Sequence, residues 1–257
     1  DRGMEPVDEL GIFIKGAIRN YSNESNYLYG IKAGAPRVIK LLRDYDIMAS
    51  WTVAAQSLET HPELARAIVA LGHEPVSHGW RWVHQFRMDE EAERAFIRRA
   101  VASIEASCGV RPHGWLSRYM LTDNTRRLLI EEGFTYHMDD YSGDVPFWDS
   151  QTVPARPMVI VPYQLDNNDM KMWAEPSYTP DHWLKYAIDN LDWALREGAT
   201  HPTMMSLGLH LRIIGRPGRV WALDARTGAL LWRFTPQVDG QIHRKTCCDQ
   251  ANRGVAV

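Results

Sequence analysis

The chain has 257 residues, 45% of them apolar and 24% charged, values of an ordinary globular domain that exclude a disordered or collagen-like chain. Its 29 basic and 32 acidic residues leave a formal charge of −3, without the basic excess of a general nucleic-acid binder. No apolar run reaches the roughly 18 residues of a membrane helix and no secretory signal opens the chain, so a cytoplasmic protein is expected.

Gly11 to Lys15 reads as a short strand, and Asn20 to Asn26, in a Tyr-rich stretch ending at Tyr29, as a loop. Val38, Ile39, Leu41 and Leu42 recur at helical spacing, which predicts a helix over Ala35 to Tyr45, with Pro36 suited to its first turn. Ile47 to Val53 reads as a buried strand and Glu63 to Leu71 as a helix stopped by Gly72. His73 to Ser77 is a short strand that delivers His78, followed by an amphipathic helix from Asp89 to Ala106. Gly114 to Leu116 looks like a strand end, Asp123 to Glu132 a helix, and Phe134 to His137 a strand that delivers Asp139 and Asp140. Met158 to Val161 and Met204 to Leu207 read as strands, with a helix from Pro180 to Glu197 between them.

This alternation predicts an α/β fold with a parallel sheet or barrel, whose chemistry gathers at the carboxyl ends of the strands. Polar residues stand at those ends: His78, Arg118, Asp139 and Asp140, the run Asn167 to Asp169, and His210. A histidine closing a strand can exchange protons or ligate a metal; its plain alternative is a hydrogen-bonded histidine beside packed Trp residues. Asp140 suits a base or an orienting carboxylate, or else a turn; Arg118 suits an oxyanion, or else a loop anchor. Glu24, Trp80, Trp82, Trp115, Asn168 and Asp169 are candidates to bind substrate, although core packing is the usual work of tryptophan and turns that of Asn and Asp. Near Val220 the pattern changes to two short strands about a turn at Asp224 to Gly228, and a boundary is placed there: 1–220 as one domain, 221–257 as a tail.

The first 220 residues resemble the polysaccharide deacetylase (NodB-homology) family, and within it the allantoinase-like branch. The resemblance is carried by Glu24-Ser-x-x-Tyr27-x-Tyr-Gly30, Ser77-His-Gly-Trp-Arg-Trp82, Gly114-Trp115, Asn124-Thr-Arg-Arg127, Tyr141 to Asp144, Pro162-Tyr-x-Leu-Asp166 with Asn168-Asp169-Met170, Ser206-Leu-Gly-Leu-His210 and Gly215-Arg-Pro-Gly-Arg219. It implies a distorted, incomplete (β/α) barrel whose opening strand lies upstream of Asp1, and hydrolysis of a non-peptide carbon–nitrogen bond. Catalytic residues would be His78, His210, Asp140 and Arg118, with His210 at the place of the family's late catalytic histidine. In metal-using members an Asp of the first strand and a His-x-x-x-His pair hold zinc. Here His78 matches the first histidine and Trp82 stands at the second, so no metal site is expected; His78 would be its one ligand, and the zinc set is incomplete. The implied substrate is a small ureide or an N-acylated sugar, with no nucleic acid and no membrane as partner and self-association left open.

The tail resembles quinoprotein alcohol dehydrogenases through Ala222-x-Asp-x-x-Thr-Gly-x-x-x-Trp232 and Arg244-Lys-Thr-Cys-Cys-Asp249, where the resemblance implies a disulfide between adjacent cysteines. So short a piece cannot close a propeller, and pyrroloquinoline quinone is not expected. Two alternatives to a hydrolase remain from sequence alone: an inactive or binding-only remnant of the fold, and a fragment of a quinone-dependent dehydrogenase.

Overall fold

The computed structural model describes residues 19–118, 120–173 and 177–219, and the backbone of 221–223 and 230–233. The expected strand at Gly11 to Lys15, the turn at Asp224 to Gly228 and the cysteine pair lie outside the described residues. The chain enters through helix α1 (Tyr21–Tyr29), where a loop was expected. Asn20 caps it by accepting from the Asn23 amide at 2.9 Å, a local signal that the polar composition of this stretch concealed. One π-helical turn (Gly30–Gly34) joins it to α2 (Ala35–Asp44).

Six strands form one sheet in the order β1 (Ser50–Val53), β2 (Glu74–Ser77), β3 (Gly114–Trp115), β4 (Tyr136–His137), β6 (Met158–Ile160), β5 (Phe147–Asp149). All neighbours are parallel except β5, an antiparallel edge strand that the sequence pattern did not suggest. The first four strands are neighbours in chain order, joined through α3 (Ala55–Thr60) and α4 (Pro62–Ala70), α5 (Glu90–Cys108) and α6 (Thr125–Glu131). That winding is the one of a (β/α) barrel, and here the sheet stays open. The strand expected at Met204 to Leu207 does not form; just beyond it stands a single parallel bridge, Asn168 to Gly208, followed by α8 (Leu211–Ile214). A side chain at Gly208 would run into the Tyr163 hydroxyl, so the close approach there requires glycine. In the tail β7 (Trp221–Leu223) and β8 (Leu230–Arg233) pair antiparallel, as the hairpin reading expected.

Helix α5 shows why these elements form. Asp89 accepts from the Ala92 amide at its start, three glutamates occupy its first turn, and left-handed Gly109 ends it. Its apolar face feeds two cores: Ile97, Ala100 and Val101 with Trp115, Leu128 and Ile160, and Ile104 with Val53, Leu58 and Ile68. Helix α7 (Pro180–Glu197), capped by Thr179, packs Trp183 with Val38, Met172 and Ile213 and also buries Ala187, while Leu195 at its far end stays exposed. Among the described residues no helix is long and apolar enough to cross a membrane.

Candidate active site

The carboxyl ends of β2, β3 and β4 and the bridge at Gly208 converge on one region. His78 follows β2; its amide donates to Val53 O at 2.8 Å, and its ring Nδ1 lies 2.5 Å from Leu116 O. That bond fixes the tautomer with the proton on Nδ1 and leaves Nε2 as an acceptor. Gly79 has φ +81°, and a Cβ there would stand 2.5 Å from the Phe96 ring. Only glycine serves there. The turn sends Trp80 into the core and Trp82 to the site.

Burial pushes the His78 imidazole down to about 4, and the positive charges of Arg118 and His210 add to it; the Leu116 carbonyl and Asp139 oppose them. The same interactions place Arg118, Asp139 and His210 within electrostatic reach of one ring. Because the folded-state value is depressed, the unfolded chain binds the extra proton first. Stability is therefore full above about pH 6.5 and lost as the pH falls toward 4. The expected loss is about 2 kcal/mol after allowing for the part of the ring that solvent reaches. Denaturant unfolding from pH 7 to 4 measures it, and His78→Asn should flatten that slope.

His210 is the second centre. Its Nδ1 lies 2.6 Å from Asp169 Oδ1, and its amide donates to Asp169 Oδ2 at 2.8 Å. Asp169 is fully buried, and its own amide donates to Gly208 O at 2.9 Å. The carboxylate thus grips both ring and backbone, and leaves Nε2 of a partly exposed imidazole to exchange a proton. Asp169, expected to bind substrate, is instead the partner of His210.

Asp139 is the third. It lines a pocket of about 390 Å³ with Ser117, Arg118, Met120, Leu121 and Tyr141. Its Oδ2 accepts from the Ser117 amide at 2.7 Å and lies 2.6 Å from Nε2 of fully buried His137. Asp140, the expected catalytic carboxylate, points elsewhere: it accepts from the Ser142 amide and hydroxyl and from Arg126 at 3.4 Å. Burial would raise its carboxyl, but the Ser142 bonds and the Arg126 guanidinium outweigh that and hold it below its ordinary value. Strand parity could have distinguished the two. Asp139 stands two residues after inward His137 and so falls on the same face; Asp140 falls on the other.

The Arg118 guanidinium stacks 4.2 Å from the Trp82 ring centre; Arg212, on α8 just after His210, lies 5.6 Å from the same ring and 4.5 Å from Tyr27. His78 meets Trp82 edge-on at 5.9 Å. Trp82 is thus a platform for two cations. The other substrate candidates lie differently. Trp80 donates to Glu59 at 3.0 Å under Arg99, and Trp115 is fully buried and donates to Ser117 Oγ at 2.8 Å. Asn168 caps a 3₁₀ turn through the Met170 amide and donates to the Tyr163 hydroxyl at 2.9 Å. Glu24 lies on α1 and receives Arg19 through a two-point bridge.

The sequence profile described as polysaccharide deacetylase matches residues 26–137. A putative polysaccharide deacetylase of Schizosaccharomyces pombe is 31% identical over 87% of this chain and 76% of its own length. The chain belongs to the polysaccharide deacetylase family. This polysaccharide deacetylase homologue also matches the crystal structure of Puue allantoinase, 39% identical with a TM-score of 0.78 over 82% of this chain and 70% of that one. A probable polysaccharide deacetylase from Pseudomonas aeruginosa matches with the same identity and coverage and a TM-score of 0.76. A peptidoglycan deacetylase of Helicobacter pylori is 25% identical over 79% of this chain. The family is one of hydrolases acting on amides. The tail matches a quinohemoprotein alcohol dehydrogenase of Pseudomonas putida, 55% identical over 38 residues, only 5% of that protein.

Metal-using deacetylases need a converging ligand set. Among the described residues no three His, Cys, Asp or Glu side chains could hold a metal ion together. His78 keeps Nε2 as an acceptor while its Nδ1 bonds Leu116 O, but Trp82, four residues on, brings no donor electron pair. The described residues do not fit zinc.

Proposed function

We propose that the chain hydrolyses a non-peptide carbon–nitrogen bond of a small ureide such as allantoin, with the proton transfers made by its own side chains. The observation that carries the reading is the buried Asp169 gripping His210 at two points beside the His78, Arg118 and Trp82 cluster. In this reading His210 Nε2 protonates the leaving nitrogen while Asp169 offsets the charge on the ring in transit. Arg118, held by its stacking on Trp82, faces the developing oxyanion, where a positive donor counts most in a site with little water. His78 offers Nε2 as a neutral acceptor that orients substrate. The likeness to the allantoinase and the tryptophan at position 82 support a ureide. The similarity to deacetylases of yeast and Helicobacter supports a second reading, release of acetate from an N-acetylated sugar. In both readings the hydrolase unit is residues 1–220, and the tail takes no part in the reaction.

The test offers the chelator-treated chain allantoin and an N-acetylglucosamine oligomer side by side. Allantoin turnover without added metal is the expected result. Acetate release that returns only with zinc would replace the ureide reading with the sugar one, and turnover of neither would sink both.

A further inference from the structure

Each wall of the site carries an aspartate paired with a histidine, and the two pairs are inverted. In one, buried Asp169 holds partly exposed His210. In the other, fully buried His137 holds pocket-lining Asp139. Resting on the amide-hydrolase reading above, we infer that Asp139 is the group that activates water and that His137 is its positioning residue.

The geometry of Asp139 divides its two oxygens. The Ser117 amide and the His137 ring both converge on Oδ2. Oδ1 makes no hydrogen bond among the described residues and is left for the pocket. One oxygen anchored twice and the other unengaged is the arrangement of a base whose direction is fixed before substrate arrives. His137 sits in the middle of the sheet, opposite Trp115 on β3 and Ile160 on β6. Its Nδ1 is buried without a hydrogen-bond partner. A ring protonated at Nδ1 would bury an unpaired donor, so the favoured form carries its proton on Nε2 and gives it to Asp139. A histidine in a core whose polar bond goes to Asp139 costs more than an apolar residue of like size unless that bond is used. The charged and titratable groups around Asp139 come from three elements: His78 after β2, Arg118 after β3, and His137 with Tyr141 from β4 and the loop beyond it.

The reaction balances with these two pairs. Asp139 Oδ1 takes a proton from water as the water oxygen bonds to the carbonyl carbon. The carbon–nitrogen bond then breaks as His210 Nε2 gives its proton to nitrogen. A cyclic ureide is left as one opened product carrying both the acid and the urea end, and an N-acetylated sugar as acetic acid and an amine; Asp139 returns its proton and His210 regains one, through solvent.

The test uses the full chain and the faster hydrolysed of allantoin and an N-acetylglucosamine oligomer. Asp139→Asn is expected to lower kcat by about 10²–10⁴-fold with KM changed by less than about threefold. His137→Leu should lower kcat by about tenfold or more, and His137→Gln, which keeps an N–H donor, should restore part of it at an unchanged melting temperature. A role in folding alone would move melting temperature and kcat together. Wild-type kcat in Asp139→Asn beside an inactive His210→Ala would overturn this inference and leave the hydrolase reading standing. Equal rates in the two His137 variants would remove the positioning role. Unchanged rates in both Asp139→Asn and His210→Ala, or turnover of neither substrate by the wild type, would overturn both readings.

Discussion

Replacing His210 with alanine is expected to lower kcat by about 10²–10⁴-fold while KM moves only a few-fold, because the lost group acts on the proton and not on binding. Asp169→Asn should cost on the order of 10³ in kcat for a different reason. The neutral side chain no longer offsets the charge of the doubly protonated ring that gives up its Nε2 proton, and no longer fixes the ring's orientation through Nδ1. It also breaks a second hold, since Oδ2 accepts from the His210 amide at 2.8 Å. The two variants together separate loss of the ring from loss of its orientation. Steady-state kinetics with circular dichroism on each protein measures both effects. A His210→Ala protein with wild-type kcat would sink the assignment.

The sequence made some of this legible. The parallel strands from Ser50 to Ile160 and helices α4, α5 and α6 between them are written in helical and strand periodicity, while α3 and the antiparallel β5 are not; of the polar residues at strand ends, His78, Arg118, Asp139 and His210 come together and Asp140 does not. Strand ends can be read because a parallel sheet puts every βα loop on one face. What stayed hidden depends on direction and on distance along the chain. Asp139 and Asp140 are adjacent and chemically alike; only the facing of β4, set by buried His137, separates them. Asp169 and His210 are 41 residues apart, and their pairing comes from the bridge of Asn168 to Gly208, too short to carry a strand pattern. Trp80 and Trp82 divide between core and site because Gly79 takes a left-handed turn, a backbone state that a tryptophan-rich stretch does not announce. Helix α1 was read as a loop because its residues alternate Asn, Ser and Tyr, and tertiary contacts, among them the Arg216 bond to Asn26, override that weak propensity.

Glu93 should have the largest effect on stability, although it lies outside the reacting groups. It is fully buried in the first turn of α5. Its Oε1 accepts from Gln85 Nε2 at 2.7 Å and from the Thr125 hydroxyl at 2.5 Å, and its Oε2 from the Thr122 hydroxyl at 2.5 Å. Gln85 opens the 3₁₀ turn after Trp82, while Thr122 lies on the loop after Arg118 and Thr125 opens α6 at its end. One carboxylate thus ties together the two loops that supply His78, Trp82 and Arg118. Glu93→Ala removes the main acceptor of one buried amide and two hydroxyls, at about 1–3 kcal/mol each if nothing relaxes, and leaves only the long Gln85 to Thr125 and Thr122 to Thr125 contacts of 3.4 and 3.3 Å to replace it. Partial relaxation brings the expected loss to about 3 kcal/mol, or a melting temperature lower by about 10 °C. Glu93→Gln keeps an acceptor for Gln85 and Thr125, and the Thr122 hydroxyl can rotate to accept from the new amide; it should lose about 1 kcal/mol. Calorimetry of the two variants measures the difference. An alanine variant melting within about 2 °C of wild type would mean that water satisfies those donors. The loops would then be held by the packing of α5 against its neighbours, with the carboxylate a passenger.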